Sequence, residues 1–376
     1  MTTVSLSKVK RWFQRNWDWR RLLGLSTGSV LGLEISSSAV KLLEFSEQDG
    51  RYCVESYGVE PLGPQVVVDR TIKDVEAVTA AIQRLLARVK PRAKFAALSV
   101  SGSTVITRVL QLTKGLSEAE VKSQLEVEAE HYIPYPLDEG YWDFQVLGAS
   151  DKHPELMDVI LAVSKVDKVD GHMEAVNASG LQVKIVDVDT LALERAFGSV
   201  KGQLPDKGVG KTIAMIDIGD SITTLYVMEN FKTIYTREQA FGGRQLTDEI
   251  QRRYGLTYEE ALAAKKFGGL PDDYLAEVLE PFKENIVQQI SRTLQFFLAL
   301  KENSQVHLLI LGGGTASIGG LEALVEEKIS IKAIIANPFL EMDISKRING
   351  PALFGEAPSL MVCCGLAMRD LSYDIY

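Results

Sequence analysis

Two stretches of this chain pair a carboxylate with a run of small polar residues. Residues 30–45 read VLGLEISSSAVKLLEF, and residues 213–228 read IAMIDIGDSITTLYVM. An offset of 183 positions lays Glu34 on Asp217, Ser36 on Gly219, Ser37 on Asp220, Ser38 on Ser221 and Leu42 on Leu225. Each copy is an apolar strand ending in a carboxylate, then a polar turn, then a second apolar strand. Small residues let backbone come close to a ligand, and turn N–H groups facing one way make an anion-binding nest. Serine hydroxyls add donors. The carboxylate suits Mg²⁺ held through water, with the metal bridging phosphate oxygens. Either hairpin alone reads as an ordinary polar turn. The matched pair, with Gly312-Gly313-Gly314-Thr315 behind a third apolar strand, points to two turns that grip a polyphosphate.

The elements that must position these residues follow from period and punctuation. Val30–Phe45 reads as two strands about a tight turn, with further strand at Cys53–Val59 and Gln65–Val68. Thr71–Lys90 reads as a helix, its stripe running Val75, Val78, Ile82, Leu85 and Val89 before Pro91. Phe95–Val100 and Thr104–Leu112 read as strands. Ser117 and Glu120 form a capping box that opens a helix ending near Tyr132, before Pro134 and Pro136. Phe144–Leu147 and Leu156–Val163 make a strand pair, Asp167–Ala178 a helix, Val183–Val188 a strand and Thr190–Phe197 a helix. Gly198–Gly210 reads as a domain linker. Ile213–Ile218 and Thr223–Met228 form the second hairpin. Thr257 and Glu260 make another capping box, Glu280–Lys301 a long helix, and His307–Leu311 an apolar strand.

The chain has 376 residues, enough for two or three domains, and its composition is that of a folded protein. Its net charge of −9 disfavours a nucleic-acid-binding body. The charge is uneven: residues 1–28 hold six Lys or Arg against Asp18, with Trp12, Trp17 and Trp19 among them. This arm reads either as a contact for an anionic membrane surface or as a solvated helix. Three cysteines (Cys53, Cys363, Cys364) exclude a disulfide scaffold, and the four histidines show no zinc spacing. No membrane-crossing run or secretory leader is expected. Gly210-Lys211-Thr212 fails as a P-loop because Pro205 sits where its first glycine belongs. Gly312 and Gly314 fail as a dinucleotide fingerprint because Ser317 replaces its third glycine.

With its two phosphate hairpins and glycine turn, the chain resembles the actin/Hsp70/sugar-kinase superfamily. Within that superfamily it resembles the PilM family, FtsA-like proteins of type IV pilus assembly. The likeness rests on LGLEISSSAVKLLEF (31–45), EVEAEHYIPYPLDEGYWDFQVLG (126–148), VDVDTLALERAF (186–197), FGGRQLTDEIQRRYGLTYEEALAAKK (241–266), EPFKENIVQQISRTLQFF (280–297) and LILGGGTASIGGL (309–321). It implies an α/β, actin-like ATPase (ribonuclease-H-like, duplicated) fold of two lobes with an FtsA-like inserted subdomain. Residues 29–101, completed by 184–205 and 350–376, would form the first lobe, 102–183 the insertion and 206–349 the second lobe. ATP or ADP with Mg²⁺ would lie in the interlobe cleft. Ser36, Ser37 and Ser38 would stand at the first phosphate turn. Asp217, Gly219, Asp220, Ser221 and Thr223 would stand at the second. Gly312, Gly313, Gly314 and Thr315 would border the adenosine, with Gly243 and Lys265 near base and ribose. Glu34 and Asp217 would face the metal through water. A groove beside the insertion, walled by Tyr132, Ile133, Tyr135 and Trp142, would take the N-terminal peptide of PilN, an inner-membrane pilus protein. The chain would then work in the cytoplasm, peripheral to that membrane.

The chain departs from the family pattern in two places. Glu34-Ile35-Ser36 stands where relatives carry Asp-x-Gly, and Asp220 takes a normally uncharged place, for which Lys41 is a candidate counter-charge. Three functions then compete: a nucleotide-binding assembly adaptor, a sugar-kinase-like or working ATPase, and a filament former. A kinase needs a carboxylate base at the acceptor hydroxyl. Asp187 and Asp189 follow a strand but match an interlobe segment of the adaptor family, so the adaptor is the expectation.

Overall fold

The computed structural model describes residues 30–48, 50–150, 153–300 and 305–369. The arm of residues 1–28 lies outside them. In chain order the strands and α-helices are β1 (Val30–Ile35), β2 (Ala39–Gln48), β3 (Arg51–Pro61), β4 (Val67–Val68), β5 (Thr71–Ile72), α1 (Val75–Val89), β6 (Phe95–Val100), β7 (Val105–Thr113), α2 (Glu118–Ala129), β8 (Gly140–Ala149), β9 (Leu156–Lys165), α3 (Val166–Ala178), β10 (Gln182–Val188) and α4 (Asp189–Phe197). There follow β11 (Thr212–Ile218), β12 (Thr223–Glu229), β13 (Lys232–Gln239), α5 (Gly243–Tyr254), α6 (Tyr258–Phe267), α7 (Glu280–Leu300), β14 (Leu308–Gly312), α8 (Leu321–Ile329), β15 (Ala333–Ile335), β16 (Asp343–Ile344), α9 (Gly350–Glu356) and α10 (Met361–Ala367).

The chain divides into two compact units. Of the described residues, one holds Val30–Phe45, Gly58–Ala192 and Leu366–Arg369. The other holds Ser46–Tyr57 and Leu193–Gly365. One sheet runs β10-β6-β1-β2-β3-β16, and another runs β15-β14-β11-β12-β13. In each, the first strand of the hairpin is antiparallel to the next and parallel to the strand on its other side. The repeat in the sequence is therefore a repeat in topology. It persists to the hydrogen bond: Ser36 N–H donates to Ala39 O at 2.9 Å, and at the offset of 183 Gly219 N–H donates to Ile222 O at 3.0 Å. Glu34 pairs across the ladder with Lys41, and Asp217 with Thr224.

The first unit buries Leu31, Leu33, Val40, Leu42, Val78, Ile82, Leu85 and Leu98 in one core. Helix α1 starts at Val75, the first residue of its apolar stripe and four residues later than the helix read from the sequence. Asp74 accepts the Ala77 N–H and fixes the start, while Thr71 and Ile72 pair with β4. Helix α3, which the sequence places with the insertion, packs here instead: Ala175 and Val176 lie in this same core. The insertion proper is the sheet β7-β9-β8 with α2. Its own core holds Leu110, Leu112, Val121, Leu125, Val159, Leu161 and Val163.

The second unit packs α5, α6, α7 and α8 on its sheet through Leu246, Ile250, Ala261, Ile286, Ile290, Leu294 and Leu321. The chain's passage between the units nearest to Gly198–Gly210 falls inside α4, between Ala192 and Leu193, and not in that stretch. That stretch is two turns of 3₁₀ helix whose Val200 and Leu204 are buried, so its glycines and lysines gave a misleading linker signal. Among the described residues, Gly350–Ala367 is the one helical stretch long and apolar enough to cross a membrane, and 67 % of it is buried inside the protein. Cys363 and Cys364 lie in that buried stretch.

Candidate functional site

The second hairpin is the hub of a cluster within the second unit. Asp217 lies near the end of β11, between Thr224 of β12 and Gly312 of β14. The turn beyond it is fastened from two sides. Gly243 N–H donates to Gly219 O at 3.0 Å and Arg244 N–H to Asp220 O at 2.8 Å, so the first residues of α5 cap the turn. From the other side Thr315 Oγ1 donates to Gly219 O at 2.9 Å, which ties the glycine turn after β14 to the same carbonyl.

Close approach explains the glycines. A Cβ on Gly243 would lie 2.6 Å from Thr315 Oγ1, and one on Gly313, at φ +82°, would lie 2.3 Å from Ile218 O. These glycines let three backbone segments touch, a role inside the protein and not toward a ligand. Gly314 differs. It is exposed, and a Cβ there would meet only Ser359 Cβ, at 4.0 Å. Its bare backbone leaves an open surface beside Thr315.

Lys265 completes the cluster. Its Nζ donates to Thr247 Oγ1 at 2.8 Å and Gly243 O at 3.3 Å. Burial lowers its pKa, and the carboxylates of Asp220 and Asp248 pull it back up. Lys265 is thus a cation that feels the charge of Asp220. Lys41, the candidate for that role in the sequence, instead binds Glu34 Oε1 at 2.7 Å in the first unit. The hydroxyls of the turns are partly committed within the protein. Ser221 Oγ donates to Asp220 Oδ2 at 3.1 Å, Thr223 Oγ1 to Phe241 O at 2.8 Å, and Ser36 Oγ to Ala39 O at 2.9 Å.

The structure thus gathers Asp217, Gly219, Asp220, Ser221, Gly243, Lys265 and Gly312–Thr315 in one unit. Glu34, Ser36, Ser37, Ser38 and Lys41 form the equivalent turn of the other. The donor set fits a phosphate-bearing ligand: a partly buried lysine, a polar hairpin turn and an open glycine. A cation also has a place to be satisfied, because Glu34 Oε2 is buried without a hydrogen-bond partner among the described residues. Among those residues no group of three or more His, Cys, Asp or Glu side chains converges on one point, so single carboxylates acting through water are the donors on offer.

Two residues escaped the reading of the sequence. Thr247, fully buried on α5, anchors Lys265. Lys283, nearly buried, pairs with Glu280 at 2.7 Å and lies 3.6 Å from the Cβ position of Gly320. The Glu-x-x-Lys spacing at the head of the long helix was the available signal. The proposed groove wall is only partly a surface. Ile133 is buried at 6 % exposure, and Tyr135 and Trp142 pack on the insertion core, whereas Tyr132 is 43 % exposed. Neither kinase-base candidate is free. Asp189 accepts Gly102 N–H at 2.7 Å and pairs with Arg70 at 3.3 Å, and Asp187 lies 3.5 Å from Arg369.

Two sheets that share one strand order over five strands, each with a polar hairpin turn at the same register, define a protein of the actin-like ATPase fold. The ethanolamine utilization protein EutJ from Carboxydothermus hydrogenoformans shares it, with a TM-score of 0.54 and 15 % identity over 92 % of this chain and 90 % of that one. The model of the family described as type IV pilus assembly protein PilM matches residues 32–371, and the chain belongs to that family. A solved PilM-PilN type IV pilus biogenesis complex matches 93 % of this chain and 100 % of that chain, at 25 % identity and a TM-score of 0.75. The protein has a role in type IV pilus assembly.

Proposed function

We propose that this protein is a nucleotide-binding adaptor of the pilus assembly platform. It binds ATP or ADP with Mg²⁺ and docks the N-terminal peptide of a PilN-like membrane protein, at the cytoplasmic face of the inner membrane. The observation that carries the nucleotide reading is the convergence of the Gly219–Ser221 turn, the head of α5, Lys265 and Gly314 in one unit. The turn and Lys265 receive phosphate charge. The glycine surface at Gly314 accepts the flat nucleoside. Mg²⁺, when bound, neutralises phosphate charge through water held by Asp217 or Glu34. The partner reading is supported by the PilM-PilN complex that this chain resembles over nearly its whole length. Binding of a fluorescent ADP analogue tests the first part. Lys265→Ala and Gly314→Val should each weaken it roughly tenfold or more, the change expected for one lost charge-assisted contact or one blocked surface. Unchanged affinity in both variants, or no binding by the wild type, overturns the reading. Multiple turnovers of ATP that depend on a sugar would favour the kinase instead.

A further inference from the structure

The short hairpin β4-β5 breaks a local rule. Val68 pairs with Thr71, so Asp69 and Arg70 make the turn, at φ +47° and +60°. A two-residue turn with both residues left-handed favours Asn-Gly, since these two accept positive φ at least cost. An arginine there needs another reason. Its side chain supplies one. Arg70 Nη1 donates to Ser101 Oγ and pairs with Asp189 Oδ2 at 3.3 Å, and the two charged side chains are 22 % and 17 % exposed. Asp189 in turn accepts the Gly102 N–H at 2.7 Å. A Cβ on Gly102 would collide with Thr190 Oγ1, so close approach requires this glycine. Beside Arg70, Thr71 Oγ1 accepts from Lys168 Nζ at 2.7 Å.

These contacts fall where the chain crosses between the first sheet and the insertion. Ser101 and Gly102 follow β6 and lead into β7, and Lys168 lies in the first turn of α3, straight after β9. One hairpin thus holds both crossings. The core of the insertion and the core beneath the sheet are separate clusters. Two cores joined through a pair of crossings reorient by hinge motion unless directional contacts fix the angle. A guanidinium held by a carboxylate and a hydroxyl is directional, because its donors lie in one plane.

We propose that the Asp69-Arg70 turn is a clasp, with Arg70 the positioning residue that sets the angle of the insertion on the first unit. The insertion carries the wall of the peptide groove, so the angle tunes affinity for the partner; this second half rests on the partner reading given above. Arg70 acts through Ser101 and Asp189 and needs no contact with the peptide.

The test uses the full chain with Cys53→Ser and with spin labels at Gln83→Cys on α1 and Gln124→Cys on α2, both exposed positions. The other cysteines, Cys363 and Cys364, are buried. Pulsed electron paramagnetic resonance should give one narrow distance for this labelled parent. Asp69→Asn/Arg70→Gly suits the turn better than the native pair but removes the clasp, so a merely local role for Arg70 predicts no change. The clasp predicts a broadened or shifted distribution. Asp189→Asn, which keeps an acceptor for Gly102 and loses the ion pair, should do the same. Arg70→Lys, able to reach one partner but not to fork between two, should fall between. A labelled peptide with the N-terminal sequence of a PilN-like protein should bind roughly tenfold more weakly to the two clasp variants, read by fluorescence anisotropy. The parent distribution retained in both variants overturns the clasp. A changed distribution with unchanged peptide affinity overturns its link to the partner. Absence of peptide binding by the parent overturns the partner reading alone, and the distances still decide the clasp.

Discussion

Lys41 and Thr224 hold the same place in two copies of one hairpin, and they treat the facing carboxylate differently. Thr224 is buried and neutral beside Asp217. Lys41 makes an ion pair with Glu34, and both side chains are 13–14 % exposed. Desolvation makes such a pair a weak source of net stability, yet breaking it strands a charge. Lys41→Met should therefore cost about 3 kcal/mol or more, read as a lowered denaturant midpoint with an unchanged slope. Glu34→Gln/Lys41→Met should recover most of that loss. If the single and double variants are equally unstable, the pair is not the cause. The residue scale also shows where the sequence spoke clearly. The offset of 183 was legible because side-chain type recorded it. The internal employment of Ser36, Ser221 and Thr223 was not, because which carbonyl a hydroxyl reaches depends on turn geometry.

Elements were legible where the signal is local. Both capping boxes, Ser117 with Glu120 and Thr257 with Glu260, form with reciprocal hydrogen bonds. The late start of α1 and the membership of α3 were not legible, since an apolar stripe says that a helix buries a face but not against which sheet. The insertion adds a prediction of its own. Asp143 on β8 has its carboxyl pushed up to about 6. Burial is the main cause, opposed by the Phe144 N–H and by the charges of Arg369 and Lys122, and aided by Glu118. The folded protein thus holds this proton more tightly than the unfolded chain does. The stabilisation from Asp143 is full below about pH 4 and is lost as pH rises through about 6. Asp143→Asn should flatten this part of the stability profile and should stabilise the protein at pH 7.5 by on the order of 2 kcal/mol. Hydrogen exchange of β7, β8 and β9 at pH 5 and pH 7.5 checks it. An unchanged difference between the two pH values in the variant would assign the effect to another group.

At the scale of the whole molecule, charge is segregated along the chain. The net charge is −9, and residues 1–28 contribute six basic side chains and one acidic one. The remainder is therefore strongly acidic and is repelled by an anionic membrane. The arm opposes that repulsion, with basic residues worth about 1 kcal/mol each near an anionic surface and three tryptophans suited to the interface. We propose that the arm recruits this pilus assembly protein to the membrane surface. Deleting residues 1–28 should abolish co-sedimentation with vesicles containing anionic lipid. For the intact chain, roughly 1 M salt, where the screening length falls to about 3 Å, should release most of the protein. The tryptophans separate this from simple counter-charge attraction. Trp12→Ala/Trp17→Ala/Trp19→Ala should weaken binding at moderate salt while leaving its salt dependence intact, because the basic residues remain. Binding that survives deletion of the arm would move the membrane contact onto the acidic body. That body would then need an attraction strong enough to overcome its own charge.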